Sequence, residues 1–152
     1  MIKLVCVGKI KNKHLEALIN DYIEKISHYH KIKVIEVKDE PIKDNNKAVL
    51  DKEADSVLKH IESNDYVILL DLHGKQIDSV KFASKLDKLF INSSTITFVI
   101  GGSLGLGEAL IKRSNERLSL SEMTFLHQMT RLIILEQIYR CFKINNNETY
   151  HK

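Results

Sequence analysis

Residues 95–107 read TITFVIGGSLGLG. The first six, TITFVI, form an apolar run rich in β-branched side chains, the pattern of a strand buried on both faces. Four of the chain's six glycines follow within the seven positions 101–107. Glycines clustered after a strand mark backbone that turns tightly or passes close to something else. In an α/β sheet the carboxyl ends of the strands are where ligands collect. The stretch therefore predicts both a fold and the place of a site within it.

The same alternation recurs on the N-terminal side. IKLVCV (2–7) reads as a strand ended by Gly8. Leu15, Leu18, Ile19, Tyr22, Ile23 and Ile26 then repeat at helical spacing. IKVIEV (32–37) is a second, β-branched strand. KDEPIKDNNK (38–47) is polar, holds the single proline, Pro41, and reads as a loop. Leu50, Ala54, Val57, Leu58 and Ile61 mark a second helix, YVILLD (66–71) a third strand with HGK as its exit turn, and Phe82, Leu86, Leu89 and Phe90 a third helix. Apolar strands alternating with helices imply an α/β fold with a mostly parallel sheet covered on both faces. No linker, repeat or low-complexity run divides the chain, so residues 1–152 are expected to form one domain.

The glycine loop fails the tests for a phosphate loop. Gly102 and Gly107 have Walker A spacing, but Glu108 follows where that loop needs lysine. Gly105-x-Gly107 starts a dinucleotide fingerprint, but Leu110 stands where its third glycine belongs. A loop that wraps an uncharged or cationic nucleoside with backbone groups stays open, beside a plain tight turn.

The last forty residues have a different texture. LSLS (118–121) and MTF (123–125) read as strand and loop with exposed backbone, and a helical pattern runs from about His127 to Ile144. Leu132, Ile134, Leu135, Ile138, Tyr139, Cys141 and Phe142 share one wide face. Met129, Ile133 and Ile144 lie on the other, the pattern of a helix buried in the core and again against a partner. That predicts a homodimer, with a deeply buried core helix as the alternative. His127 and Arg131 project together from the helix start, where Arg131 suits a phosphate or carboxylate. The chain ends in Tyr150, His151 and Lys152. Left free these residues fray; ordered over a cleft they offer a stacking ring, a titratable imidazole and a phosphate contact.

Composition sets outer limits. The charge of +3 comes entirely from residues 112–152, which carry seven Lys+Arg against four Asp+Glu. Such an excess is compatible with RNA, though small enough to be scatter. No apolar run approaches a membrane span, and the N-terminus reads as a strand rather than a signal peptide. Cys6 and Cys141 have no metal-ligand spacing and read as buried thiols of a cytoplasmic protein. His28 and His30 lack further ligands, so no metal site is expected.

FVIGGSLGL, SNERLSLSEMTFLHQMTRLIILEQIYRCFKI and the terminal YHK together resemble the SPOUT-class ribosomal RNA methyltransferases that act on N3 of a pseudouridine in 23S rRNA. VCVGKIK, IEVKDE and VILLDLHGK match in the same order, so the likeness spans the chain. It implies a homodimer, a C-terminal trefoil knot, and S-adenosyl-L-methionine as cofactor with S-adenosyl-L-homocysteine as product. It further implies a pocket built by Leu70, by Gly101 and by Leu120, Ser121, Glu122, Met123, Thr124 and Phe125. A cationic sulfonium carrying no phosphate would account for the missing phosphate-loop lysine. His151, Tyr150 and His127 are the candidate catalytic residues, and Arg131 and Lys152 the candidate RNA contacts. The expected substrate is large-subunit rRNA in the assembled ribosome. The sequence departs from the family at Leu126, usually proline, at Cys141, usually alanine, and in a tail without glycine or proline before Tyr-His. A catalytically silent ribosome- or RNA-binding dimer and a doubly wound NAD- or ATP-binding protein are the alternatives. The first has intact Tyr150, His151 and His127 against it, the second the failed phosphate-loop tests.

Overall fold

A computed structural model describes residues 1–42 and 44–152; Lys43, inside the expected polar loop, lies outside the described residues. The strands are β1 (Ile2–Val7), β2 (Ile32–Val37), β3 (Tyr66–Lys75), β4 (Ile96–Ile100) and β5 (Glu116–Leu118). The helices are α1 (Lys13–Ser27), α2 (Asn46–Leu58), α3 (Ser79–Asn92), α4 (Glu108–Arg113) and α5 (His127–Asn145). All neighbouring strands pair in parallel, in the order β2-β1-β4-β3-β5.

Successive residues of a strand face opposite sides of a sheet, and here each side meets its own helices. Leu4, Cys6, Ile68, Phe98 and Ile100 pack with Ile19 and Ile26 of α1, Phe82 and Leu86 of α3, and Ile134, Leu135 and Ile138 of α5. Val5, Val7, Val67, Leu69 and Val99 pack with Ala54 and Val57 of α2 and Leu110 of α4. The result is three layers, with α1, α3 and α5 on one face and α2 and α4 on the other. Asn12, Asn45 and Asp78 cap α1, α2 and α3 with side-chain acceptors, which fixes where those helices begin.

Two local expectations change, and one element is new. His73-Gly74-Lys75 is not an exit turn: β3 runs on to Lys75, and its register against β5 breaks between Leu70 and Lys75. The reason is tertiary. A Cβ on Gly74 would sit 2.6 Å from the Arg117 carbonyl carbon, so only glycine lets the two backbones lie this close. LSLS is not the strand; pairing ends at Leu118 and the chain then bends to the start of α5. The short α4 follows the glycine loop, a single turn and a half that no hydrophobic repeat announces.

Candidate functional site

The glycine loop folds back on itself. Gly105 N–H donates to Gly102 O at 3.1 Å, closing a turn. Gly105 has φ +95°, a conformation that side chains resist. A Cβ on Gly101 would collide with the Gly105 carbonyl oxygen. The loop thus turns its bare backbone toward the carboxyl ends of β3 and β4.

A cleft of about 700 Å³ opens there. Its lining joins three distant segments: Leu70 and Asp71 at the bend of β3, Gly101–Leu106 after β4, and residues 117–121 and 123–127, from β5 to the start of α5. Of the eight residues expected to hold a cofactor, Leu70, Gly101, Leu120, Ser121, Met123, Thr124 and Phe125 line this cleft. Glu122 is exposed and does not. Ser119 Oγ donates to Ser121 O, and Ser121 Oγ accepts from Met123 N–H, so the segment after β5 is shaped by its own serines.

The walls are mainly apolar, with few charged groups. Asp71 and Arg117 neutralise each other, Arg117 Nε donating to Asp71 Oδ2 at 2.6 Å. Sequence reading missed this pair, because Arg117 lies in β5, a three-residue strand whose pairing with β3 no local pattern announces. Among the described residues no lysine lines the cleft. The volume suits a small-molecule ligand, and the lining suits one without phosphate.

His127 stands at the rim as the first residue of α5. Burial, then the Arg131 charge, push its imidazole below the ordinary value of 6.5, against a weaker pull from Asp39. It is therefore neutral near pH 7. Leu126 precedes it with φ −55°, within proline's range, so the extended entry to α5 survives without the family's usual residue.

Arg131 is not free to meet an RNA phosphate. It is 3% exposed. Nη1 donates to Glu36 Oε2 at 2.7 Å and Nη2 to Gly8 O at 3.0 Å. Its partner is a carboxylate of its own chain, which removes Arg131 from the RNA contacts and gives it a structural role.

The tail is ordered against α5. Tyr150 donates to Glu136 Oε1 at 3.1 Å, and burial, Tyr22 and Glu136 all raise its phenol well above the ordinary 10. His151 borders a second cavity, of about 470 Å³, with Ser79 and Gln137. Leu118, Ser119, Leu120 and Phe125 line both cavities and so stand between them. Within one chain, His127 reaches the larger cleft while Tyr150 and His151 do not; Lys152 is exposed. Among the described residues no cluster of His, Cys, Asp or Glu is arranged to hold a metal, and no helix is long and apolar enough to cross a membrane.

The family model described as "Predicted SPOUT methyltransferase" matches residues 1–151. A Clostridium botulinum protein (strain Langeland / NCTC 10281 / Type F) named Ribosomal RNA large subunit methyltransferase H is 47% identical, with 99% of each chain covered. Proteins of the same name from Ruminiclostridium cellulolyticum and Malacoplasma penetrans are 46% and 44% identical, again over 99% of each chain.

Proposed function

This chain belongs to the SPOUT methyltransferase family, and we propose that it methylates N3 of a pseudouridine in 23S rRNA, in the assembled ribosome, using S-adenosyl-L-methionine. The observation that carries this reading is the cleft that joins Leu70, Gly101, Leu120, Ser121 and residues 123–125 at the strand ends. Its bare glycine backbone, apolar walls and self-neutralised Asp71–Arg117 pair suit a nucleoside bearing a sulfonium and no phosphate. Bound there, S-adenosyl-L-methionine would supply an electrophilic methyl group, with S-adenosyl-L-homocysteine as the product.

The protein's own work is placement and proton handling. N3 of pseudouridine carries a proton that must leave for its lone pair to attack. Neutral His127, at the cleft rim, is the proton acceptor in this reading. Tyr150 keeps its phenolic proton and serves as a donor and a stacking surface. Holding the nitrogen in line with the methyl supplies much of the remaining acceleration.

The active unit is a homodimer acting in the cytoplasm. Leu72, Met123, Phe125 and Leu126 are exposed apolar residues that line the cleft, an arrangement that fits a partner surface. Dimerisation brings the tail of one subunit, with Tyr150, His151 and Lys152, to the cleft of the other. Lys152 then meets RNA phosphate. The trefoil knot implied by the resemblance belongs to the same proposal.

The test is transfer of labelled methyl to ribosomes from a strain lacking this gene, with the nucleoside identified by mass spectrometry. N3-methylpseudouridine is expected. Cofactor binding without transfer supports the silent RNA-binding alternative instead, and efficient methylation of protein-free rRNA overturns the ribosome as substrate. Mixed dimers of a pocket-dead and a tail-deleted chain test the shared site: one competent site survives if the tail works across the interface, and none if it does not.

A further inference from the structure

Tyr150 and His151 are held by a common device. Glu136 Oε1 accepts from the Tyr150 hydroxyl and from Arg140 Nε at 3.0 Å and Nη2 at 2.5 Å. The guanidinium lies 4.7 Å from the centre of the Tyr150 ring, and Tyr139 and Tyr150 pack in a T-shaped pair at 5.1 Å between centroids. Nη1 of Arg140 is left over, and it meets His151 Nδ1 at 3.2 Å.

A guanidinium has donors and no acceptor. His151 Nδ1 must therefore offer its lone pair to Arg140. An imidazolium could not, because both its nitrogens carry protons. The single proton of the neutral ring then sits on Nε2. We infer that Glu136 and Arg140 are positioning residues that present His151 as a neutral hydrogen-bond donor through Nε2–H, and that His151 donates to a carbonyl oxygen of the target base rather than accepting its N3 proton.

The inference rests on the reaction proposed above and assigns a role within it. N3 of pseudouridine lies between two carbonyl groups. As its proton leaves, negative charge spreads onto both oxygens. A donor already fixed beside one of them stabilises that charge as it develops, the same physics as an oxyanion hole. A proton acceptor at His151 would need a free lone pair on Nε2, which the contact with Arg140 denies. The work is thus divided: His127 takes the proton, and His151 holds the charge.

The test compares His151→Gln, His151→Ala and Arg140→Met in the full-length protein. Histidine-selective nitrogen-15 NMR reads the protonation of His151, methyl transfer to ribosomes reads kcat, and calorimetry reads S-adenosyl-L-methionine affinity. Wild type should show a bare Nδ1 and a protonated Nε2, and Arg140→Met should show averaging between the two tautomers. Gln carries an amide N–H in place of Nε2–H but cannot act as a base, so His151→Gln should keep kcat within about tenfold of wild type. His151→Ala should lose about 10²–10³-fold, the usual cost of one such donor, with cofactor affinity unchanged. A proton on Nδ1 in wild type, an unaltered histidine spectrum in Arg140→Met, or a Gln variant as inactive as the Ala variant overturns the inference. If wild type methylates no ribosome, the proposed reaction fails, and the NMR comparison still decides how Arg140 holds His151.

Discussion

Arg131 and Glu36, 95 residues apart in the chain, meet at 2.7 Å where the first turns of α5 cross the ends of β1 and β2. The contact fastens the helix that carries His127 to the sheet that carries the cleft. It also leaves Arg131 dependent on one carboxylate and one carbonyl for its charge-assisted hydrogen bonds.

Glu36→Ala leaves a buried guanidinium without its carboxylate, and Arg131→Met removes the tie itself. Each is expected to cost about 1–3 kcal/mol, less than a fully dry pair because Glu36 is partly solvated. The urea midpoint of unfolding measures it. Unchanged midpoints in both variants would mean that the pair does not fasten α5.

Gly101→Ala drives a methyl group into the Gly105 carbonyl and must open the turn. Gly105→Ala meets nothing within 4 Å and suffers only the strain of its φ of +95°. Calorimetry should show S-adenosyl-L-methionine binding reduced at least about tenfold in Gly101→Ala and less in Gly105→Ala. The reverse order would show that the loop's closure does not shape the cleft.

The lowered pKa of His127 sets a pH window. Below the ordinary 6.5 the unfolded chain binds a proton that the native chain does not yet take up, so stability rises with pH there. The stabilisation from a neutral His127 is complete above 6.5 and is lost as pH falls through the lowered native value. The acid limb of kcat/KM for methyl transfer should accordingly have its midpoint below 6.5. Asp39→Asn, which removes the opposing pull, should move it lower still. A midpoint above 6.5 would remove His127 as the acceptor.

Burial pushes the thiols of Cys6 and Cys141 up to about 12. Neither should react with iodoacetamide at neutral pH in the native protein, and both should react once urea unfolds it. Mass spectrometry of labelled samples gives the count. Rapid native labelling at either position would show that its surroundings open readily.

Leu126 has φ −55°, is well exposed, and its N–H donates to no other group among the described residues. Leu126→Pro should therefore fit, raising stability by about 0.4–1 kcal/mol through the unfolded chain. Urea denaturation measures this. A loss of stability would mean that Phe125 cannot take the extended backbone that proline demands of its predecessor.

The layers were legible because the signals behind them are local. Buried strands such as Ile96–Ile100 declare themselves as apolar runs, and α1 and α3 by their spacing. What stayed hidden depends on partners far along the chain. His73-Gly74-Lys75 has the composition of a turn, and it becomes strand because Gly74 can press against Arg117. Arg131 on a helix start looks like a ligand for phosphate until Glu36 arrives from β2. The tail has the composition of a frayed end, and Glu136 and Arg140 order it from within α5. Of the cofactor segments, 120–125 came from the likeness to a family, since nothing in their periodicity marks them as lining.

Leu118, Ser119, Leu120 and Phe125 form a partition that borders one cavity on each side, with Leu118 anchored in the core. Leu120 and Phe125 cannot be altered to suit an occupant of the larger cleft without also redrawing the space beside His151. The two halves of the chemistry, if they sit where we propose, share one set of side chains as their margin. Changes there that retune one half must be matched in the other, so drift at this segment is constrained from both directions at once.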